Sequence, residues 1–151
     1  MMQVNAVGGR ETPSVKRSDR RSDCPINFAV EIFGDPWSLL VLRDLMFTGR
    51  RTYSDFLRAE ERCATNILAA RLKHLQEHGL IDKRGEGRGA TYALTQKGLD
   101  LLPAMLELIC WSARYDRDTG APPEFVRRIR ADRRRVTAAM RRTLKRRHGV
   151  S

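Results

Sequence analysis

Residues 64–98 read ATNILAARLKHLQEHGLIDKRGEGRGATYALTQKG, and this stretch decides the fold. Leu68, Leu72 and Leu75 recur at helical spacing. At about 100° per residue, Leu72 and Leu75 fall within about 40° of Leu68, so the three define one buried face. The helix is expected over about residues 65–78, with Gly79 as its stop. Residues 80–84 and 90–94 then read as two short strands. They flank Gly85-Glu86-Gly87-Arg88-Gly89, a Gly-rich hairpin tip. Thr95 caps the helix that follows.

The pattern extends upstream. Thr52 caps a short helix carrying Tyr53, Phe56 and Leu57, and the connection around residues 60–63 links it to the helix above. Before it, Trp37, Leu39, Leu40, Val41, Leu42, Leu45 and Met46 make a helix that is apolar nearly all round. Such a helix is buried at the centre of a domain. Pro36 restarts the chain into it and Gly49 ends it. Earlier still, Ile26, Ala29, Ile32 and Phe33 recur at helical spacing behind Cys24 and Pro25, and Pro25 suits a first helical position. Downstream, Leu99, Leu102, Met105, Leu106, Ile109 and Cys110 extend the helix from Thr95 to about Tyr115, with Pro103 as an expected kink.

This order of elements predicts a mainly α protein with a small β-hairpin, a winged helix-turn-helix. In that arrangement the second helix of the pair enters the major groove and the first crosses the DNA backbone. The hairpin tip approaches phosphates or the minor groove. The long helix from Thr95 carries more apolar side chains than so small a domain can bury. Together with Ile26, Phe28 and Trp111 it is the expected homodimer interface.

Several spaced motifs resemble the HxlR-type bacterial transcriptional regulators. They are Cys24-Pro25-Ile26, the run Ile32-Phe33-Gly34-Asp35-Pro36-Trp37-Ser38-Leu39-Leu40-Val41-Leu42-Arg43-Asp44, the run Ala64-Thr65-Asn66-Ile67-Leu68-Ala69-Ala70-Arg71-Leu72, then Gly79-Leu80-Ile81 and Tyr92-Ala93-Leu94-Thr95-Gln96-Lys97-Gly98. The similarity spans about residues 24–115. It implies a dimeric winged helix-turn-helix DNA binder of MarR-like fold, with double-stranded DNA as partner. Some relatives use a cysteine at the position of Cys24 to sense electrophiles or oxidants. The hairpin tip is shorter than in many relatives, and the chain after Pro123 lies outside the shared pattern.

On the wheel of the 65–78 helix, Asn66, Ala69, Ala70 and Lys73 lie away from the leucine face, and with Thr65 at the start of the helix they are the candidate groove contacts. Asn pairs bidentately with adenine, Thr touches a thymine methyl or hydrogen-bonds, and Ala permits close approach. Arg71 falls at about 300°, near the core boundary. It is expected to position the helix through a phosphate or an internal carboxylate. Arg84 and Arg88 flank the tip glycines as candidate wing contacts. Residues 62–91 carry six cations against three acids.

The whole chain has 151 residues, with 29 Lys and Arg against 18 Asp and Glu, a formal net charge of +11. A surplus of that size suits a polyanionic partner. It is unevenly placed. Residues 1–23 carry a net +2, residues 24–123 are neutral, and residues 124–151 carry +9. The expected organisation is a flexible N-terminal arm over 1–23, a DNA-binding and dimerisation domain over 24–119, and an Arg-rich extension over 120–151. In the extension Phe125, Ile129, Val136, Met140 and Leu144 fall within about 100° on one continuous helix, leaving a thin apolar stripe on a cationic surface. Nucleic acid is the expected partner of that surface, ahead of an anionic membrane; a solvated, unstructured tail is the other alternative.

Cys24, at a helix N-terminus, sits at the positive end of the helix dipole, a setting that makes thiols reactive. Redox sensing there is the competing reading, with Cys110 as a conceivable partner across a dimer and Cys63 as packing. A protein-contact output, or an electrophile or small-molecule effector, would go with it. Three cysteines without a CxxC exclude a zinc knuckle and suit a reduced, cytoplasmic setting. His74 and His78 stand four residues apart but lack a further ligand nearby, so surface histidines are expected and no metal. No apolar run approaches the roughly 20 residues of a membrane span. Catalytic triads, paired-carboxylate pockets and phosphate loops are missing, so no enzyme activity and no cofactor are expected.

Overall fold

The computed structural model describes residues 20–151, and the chain order predicted for a winged helix-turn-helix is present. The first nineteen residues of the expected N-terminal arm lie outside the described residues. α1 (Pro25–Phe33) starts with Pro25 in its first turn and ends at Gly34. A Cβ on Gly34 would stand 2.5 Å from the Val30 carbonyl oxygen, so only glycine fits there. Asp35, rather than Pro36, then starts α2 (Ser38–Arg43). Its Oδ1 accepts the backbone N–H groups of Trp37 and Ser38 at 2.8 and 2.9 Å.

The central apolar helix does not run unbroken to Met46. After Arg43 it widens into a π turn, Asp44–Thr48, closed by Gly49 at φ 77°. The widening leaves carbonyls without their usual helical partners. Two of them, on Leu45 and Met46, are taken by side chains from the far end of the chain. Asp44, at the start of the turn, is buried and paired with Arg43 at 2.9 Å and Arg50 at 3.2 Å.

α3 (Tyr53–Leu57) is fixed by a reciprocal capping box between Thr52 and Asp55. The turn that follows holds Arg62 at φ 50°. α4 (Thr65–Glu77) buries Leu68, Leu72 and Leu75 as its spacing requires. Each buried leucine contributes about 1.5–3 kcal/mol. β1 (Ile81–Arg84) and β2 (Thr91–Leu94) pair antiparallel, from Ile81 opposite Leu94 to Arg84 opposite Thr91.

The helix expected from Thr95 to Tyr115 is two helices. α5 (Gln96–Leu99) is capped by Thr95, and α6 (Leu102–Tyr115) restarts after Asp100 and Leu101. Pro103 does not kink a continuous helix; it occupies the first turn of α6, where its missing N–H costs nothing. Gly98 packs so tightly that a Cβ would lie 2.2 Å from the Leu80 carbonyl oxygen.

The C-terminal region is also two helices, α7 (Pro123–Ala131) and α8 (Arg133–His148). Asp132 breaks the run, and its carboxylate caps α8 by accepting from the Arg135 N–H at 3.0 Å. Because of that break the buried set differs from a single stripe: Val126, Ile129, Val136, Leu144 and His148 face inward, while Phe125 and Met140 are half-buried. The apolar members of this set join the same core cluster as Leu42, Leu72 and Leu106. The region is therefore neither solvated nor unstructured. Among the described residues, no helix is long and apolar enough to cross a membrane.

Candidate nucleic-acid interface

α4 turns its leucines inward and leaves Thr65, Asn66, Ala69, Ala70 and Lys73 exposed on one face. Lys73 lies 3.7 Å from Glu77 one turn on, a surface pair that a phosphate can compete with. Ile67 is also exposed on this helix.

Four interactions fix the orientation of that face. The Tyr53 hydroxyl donates to the Thr65 carbonyl at 2.7 Å, which ties α3 to the first turn of α4. Arg71 reaches Asp35 at 3.4 Å, so it engages an internal carboxylate as its boundary position implied. His74 is not a surface histidine: it is half-buried, and its Nε2 lies 2.8 Å from the Ile32 carbonyl oxygen. Arg43 forks onto Glu61 in the turn before α4 and also onto Asp44.

The electrostatics support the same frame. Burial pushes the Asp35 carboxyl up, but hydrogen bonds from Ser38 and Trp37 and the Arg71 charge together outweigh it and hold the group below its ordinary value. The hydrogen bond from Arg43 likewise lowers Glu61, against its partial burial, and that bond raises Arg43 in turn. α4 is thus placed by charged groups that stay ionised near neutral pH.

The wing is the β1–β2 hairpin. Its tip is a short turn over Gly87–Gly89, with Arg88 exposed on it and Lys83 exposed on β1. Arg84 is engaged elsewhere. Its guanidinium donates to the His148 carbonyl and lies 3.4 Å from where a Cβ on Gly149 would be. Arg84 thus joins the hairpin to the end of α8 while the residue stays exposed.

His148 is the buried polar residue that spacing and charge did not single out. It is fully buried. Its Nδ1 accepts the Leu94 N–H at 3.2 Å, so Nε2 carries the proton and donates to the Leu45 carbonyl at 3.0 Å. Burial lowers the imidazole from its ordinary 6.5. The Leu45 hydrogen bond opposes this, and the Arg51, Arg147 and Arg84 cations add to it. A signal was present in the sequence: Val136, Met140 and Leu144 continue by one further step of four to His148.

Further exposed apolar side chains stand on α1 and α6. Ile26, Phe28 and Val30 on α1 are 70%, 45% and 49% exposed, and Leu108, Trp111 and Tyr115 on α6 are 46%, 63% and 66% exposed. Trp111 and Tyr115 stack with centroids 5.4 Å apart. Cys24 is exposed at the cap of α1, whereas Cys110 is buried and Cys63 half-buried, its thiol pushed up by burial and the nearby Asp35 charge.

Residues 32–119 match the family model described as HxlR-like helix-turn-helix. The sll1512 protein of Synechocystis sp., named an HTH-type transcriptional regulator, is 34% identical over 111 residues, which cover 72% of this chain and 76% of that protein. Among solved structures, PA1607, described as a candidate transcription factor, matches with a TM-score of 0.58 at 32% identity, over 70% of this chain and 83% of its own. The reduced form of the transcriptional regulator YodB from Bacillus subtilis has a TM-score of 0.51 at 21% identity, over 64% of this chain and 97% of its own, a likeness of fold.

Proposed function

The chain belongs to the HxlR-like helix-turn-helix family, and on that premise we propose that it is a DNA-binding transcriptional regulator acting as a homodimer on a pseudo-palindromic operator. Each α4 lies in a major groove, with the two half-sites about one helical turn apart. Thr65, Asn66, Ala69 and Ala70 meet base edges, Lys73 and Arg88 meet phosphates, and Arg71 holds α4 in place. The observation that carries this reading is the exposed, non-leucine face of α4, fixed from behind by Tyr53, Asp35 and Ile32.

The apolar patch of α1 and α6 supplies the face for the second copy. Exposed large apolar side chains grouped in this way mark an interaction site. The end of α8 abuts the wing through Arg84 and His148. The exposed Arg142 and Arg146 of α8 suit phosphates flanking the operator. A thiol-sensor reading rests on Cys24 alone and is secondary.

The test is fluorescence anisotropy with DNA from the promoter of the protein's own gene and a scrambled duplex of equal length. The intact protein should prefer the promoter sequence. Asn66→Ala should weaken that binding about tenfold, in keeping with about 1–3 kcal/mol per bidentate base contact, and leave the scrambled duplex unaffected. Equal affinity for both duplexes at moderate salt overturns the reading.

A further inference from the structure

A large hollow lies between the helix-turn-helix body and the C-terminal helices, and none of the proposed groove contacts lines it. Its volume is about 1220 Å³, above the roughly 300–1,000 Å³ of most small-molecule sites. Leu39 and Phe47 come from α2 and its π turn, Met105 and Ile109 from α6, and Phe125 and Met140 from α7 and α8. The rings of Phe47 and Phe125 meet edge-on with centroids 6.5 Å apart. The last wall lies beyond residue 119, where the family match ends.

The charges in the lining say what it accepts. Arg43, Glu61, Asp116 and Arg147 balance to zero. Arg43 is engaged by Glu61 and Asp44, and Arg147 donates to the Met46 carbonyl at 3.4 Å. The hydroxyls of Thr48 and Thr143 donate to the carbonyls of Asp44 and Ala139. The lining thus carries no net charge, which disfavours a charged ligand, and Ser112 adds a hydroxyl to the wall. Methionine side chains in the wall adapt readily to ligand shape. The apolar side chains suited to a second copy meet the hollow at Leu108, but Ile26, Phe28, Trp111 and Tyr115 do not line it.

We propose that this hollow binds an uncharged, mainly apolar small molecule. Its consequence for DNA rests on the regulator reading. The Arg43–Glu61 pair forms part of the wall and also holds the turn that leads into α4. A ligand pressing on that pair shifts the recognition helix.

The test uses N-phenyl-1-naphthylamine, an uncharged dye that brightens in apolar sites, titrated into the full chain. One dye per chain should bind saturably. Ala139→Trp and Thr143→Trp fill the hollow from α8. Each should weaken dye binding at least tenfold while the protein still melts cooperatively. Non-saturating uptake overturns the site, as does dye binding unchanged in both cooperatively folded variants. So does loss of the dye in Trp111→Ser, which would assign it to the apolar patch. Operator affinity is measured separately without dye. A protein with no operator preference that still binds one dye per chain would sink the regulator reading and leave the site standing.

Discussion

His148 donates from Nε2 to the Leu45 carbonyl at 3.0 Å, joining residues 103 apart in sequence. The bond seats the last turn of α8 in the π turn that follows α2. Through Leu94 the same ring also holds the second strand of the wing. The C-terminal helices are thereby built into the DNA-binding fold.

That arrangement predicts a pH dependence. His148 is buried neutral and lowered from its ordinary 6.5. A group depressed on folding contributes stability above its unfolded value and loses it as pH falls through the folded one. The intact protein should therefore lose melting temperature as pH falls below about 6.5, where the unfolded histidine takes up a proton and the buried one does not. His148→Gln should lower the melting temperature at neutral pH and flatten this slope. At neutral pH the cost should be about 1–3 kcal/mol, that of leaving a buried backbone group unsatisfied. Equal slopes in the two proteins would show that another group governs the acid limb.

The seat of α4 gives a second prediction. Arg71 and Asp35 are 30% and 22% exposed, so their pair is partly screened. A double-mutant cycle with Arg71→Ala and Asp35→Asn should return a coupling of about 1 kcal/mol or less in stability. In DNA binding, Arg71→Ala should weaken the operator more than the scrambled duplex, because moving α4 misaligns its base contacts, and Asp35→Asn should weaken it in the same way. A loss in Arg71→Ala that Asp35→Asn does not reproduce would make Arg71 a direct DNA contact.

A third prediction concerns assembly. Phe28→Asp together with Trp111→Asp places two charges on the α1 and α6 patch. Size-exclusion chromatography with light scattering should find a dimer for the parent and a monomer for the double variant. Operator affinity should fall at least a hundredfold, because one chain reaches only one half-site. A variant that stays dimeric would place the interface elsewhere.

Particular residues explain which of these features were legible in the sequence. Leu68, Leu72 and Leu75 sit on one face of any α-helix, so α4 and its exposed face followed from spacing alone. Thr52, Gly79 and Thr95 act on their immediate neighbours and were legible for the same reason. The π turn depends on Arg147 and His148, some hundred residues away, and no local pattern announces it. Pro103 and Asp132 were visible, but proline suits the first turn of a helix as well as a kink, and aspartate suits a cap as well as a helix surface. The hollow needs the positions of four helices at once. His148 repeats a spacing of four, yet an ionisable side chain is not read as core until two backbone partners are found for it.

The role of the Arg-rich extension is best tested without removing it. Deletion after Pro123 is the experiment that charge alone suggests, on the view that the +9 of residues 124–151 forms a separate appendage. Val126, Ile129, Val136, Leu144 and His148 are core residues, so that deletion would destabilise the whole domain and confound the reading. Arg142→Gln and Arg146→Gln change exposed side chains only. In a dimer the double variant removes four cations. If each meets a phosphate, the slope of log affinity against log salt should flatten by about 0.9 for every phosphate no longer neutralised. The ratio of operator to scrambled affinity should stay constant, because binding to phosphates carries no sequence information. The melting temperature should stay within about 2–4 °C of the parent, since exposed substitutions change stability by about 0.5 kcal/mol or less. A flattened slope with constant specificity assigns the α8 cations to flanking DNA. An unchanged slope with intact folding places them away from it.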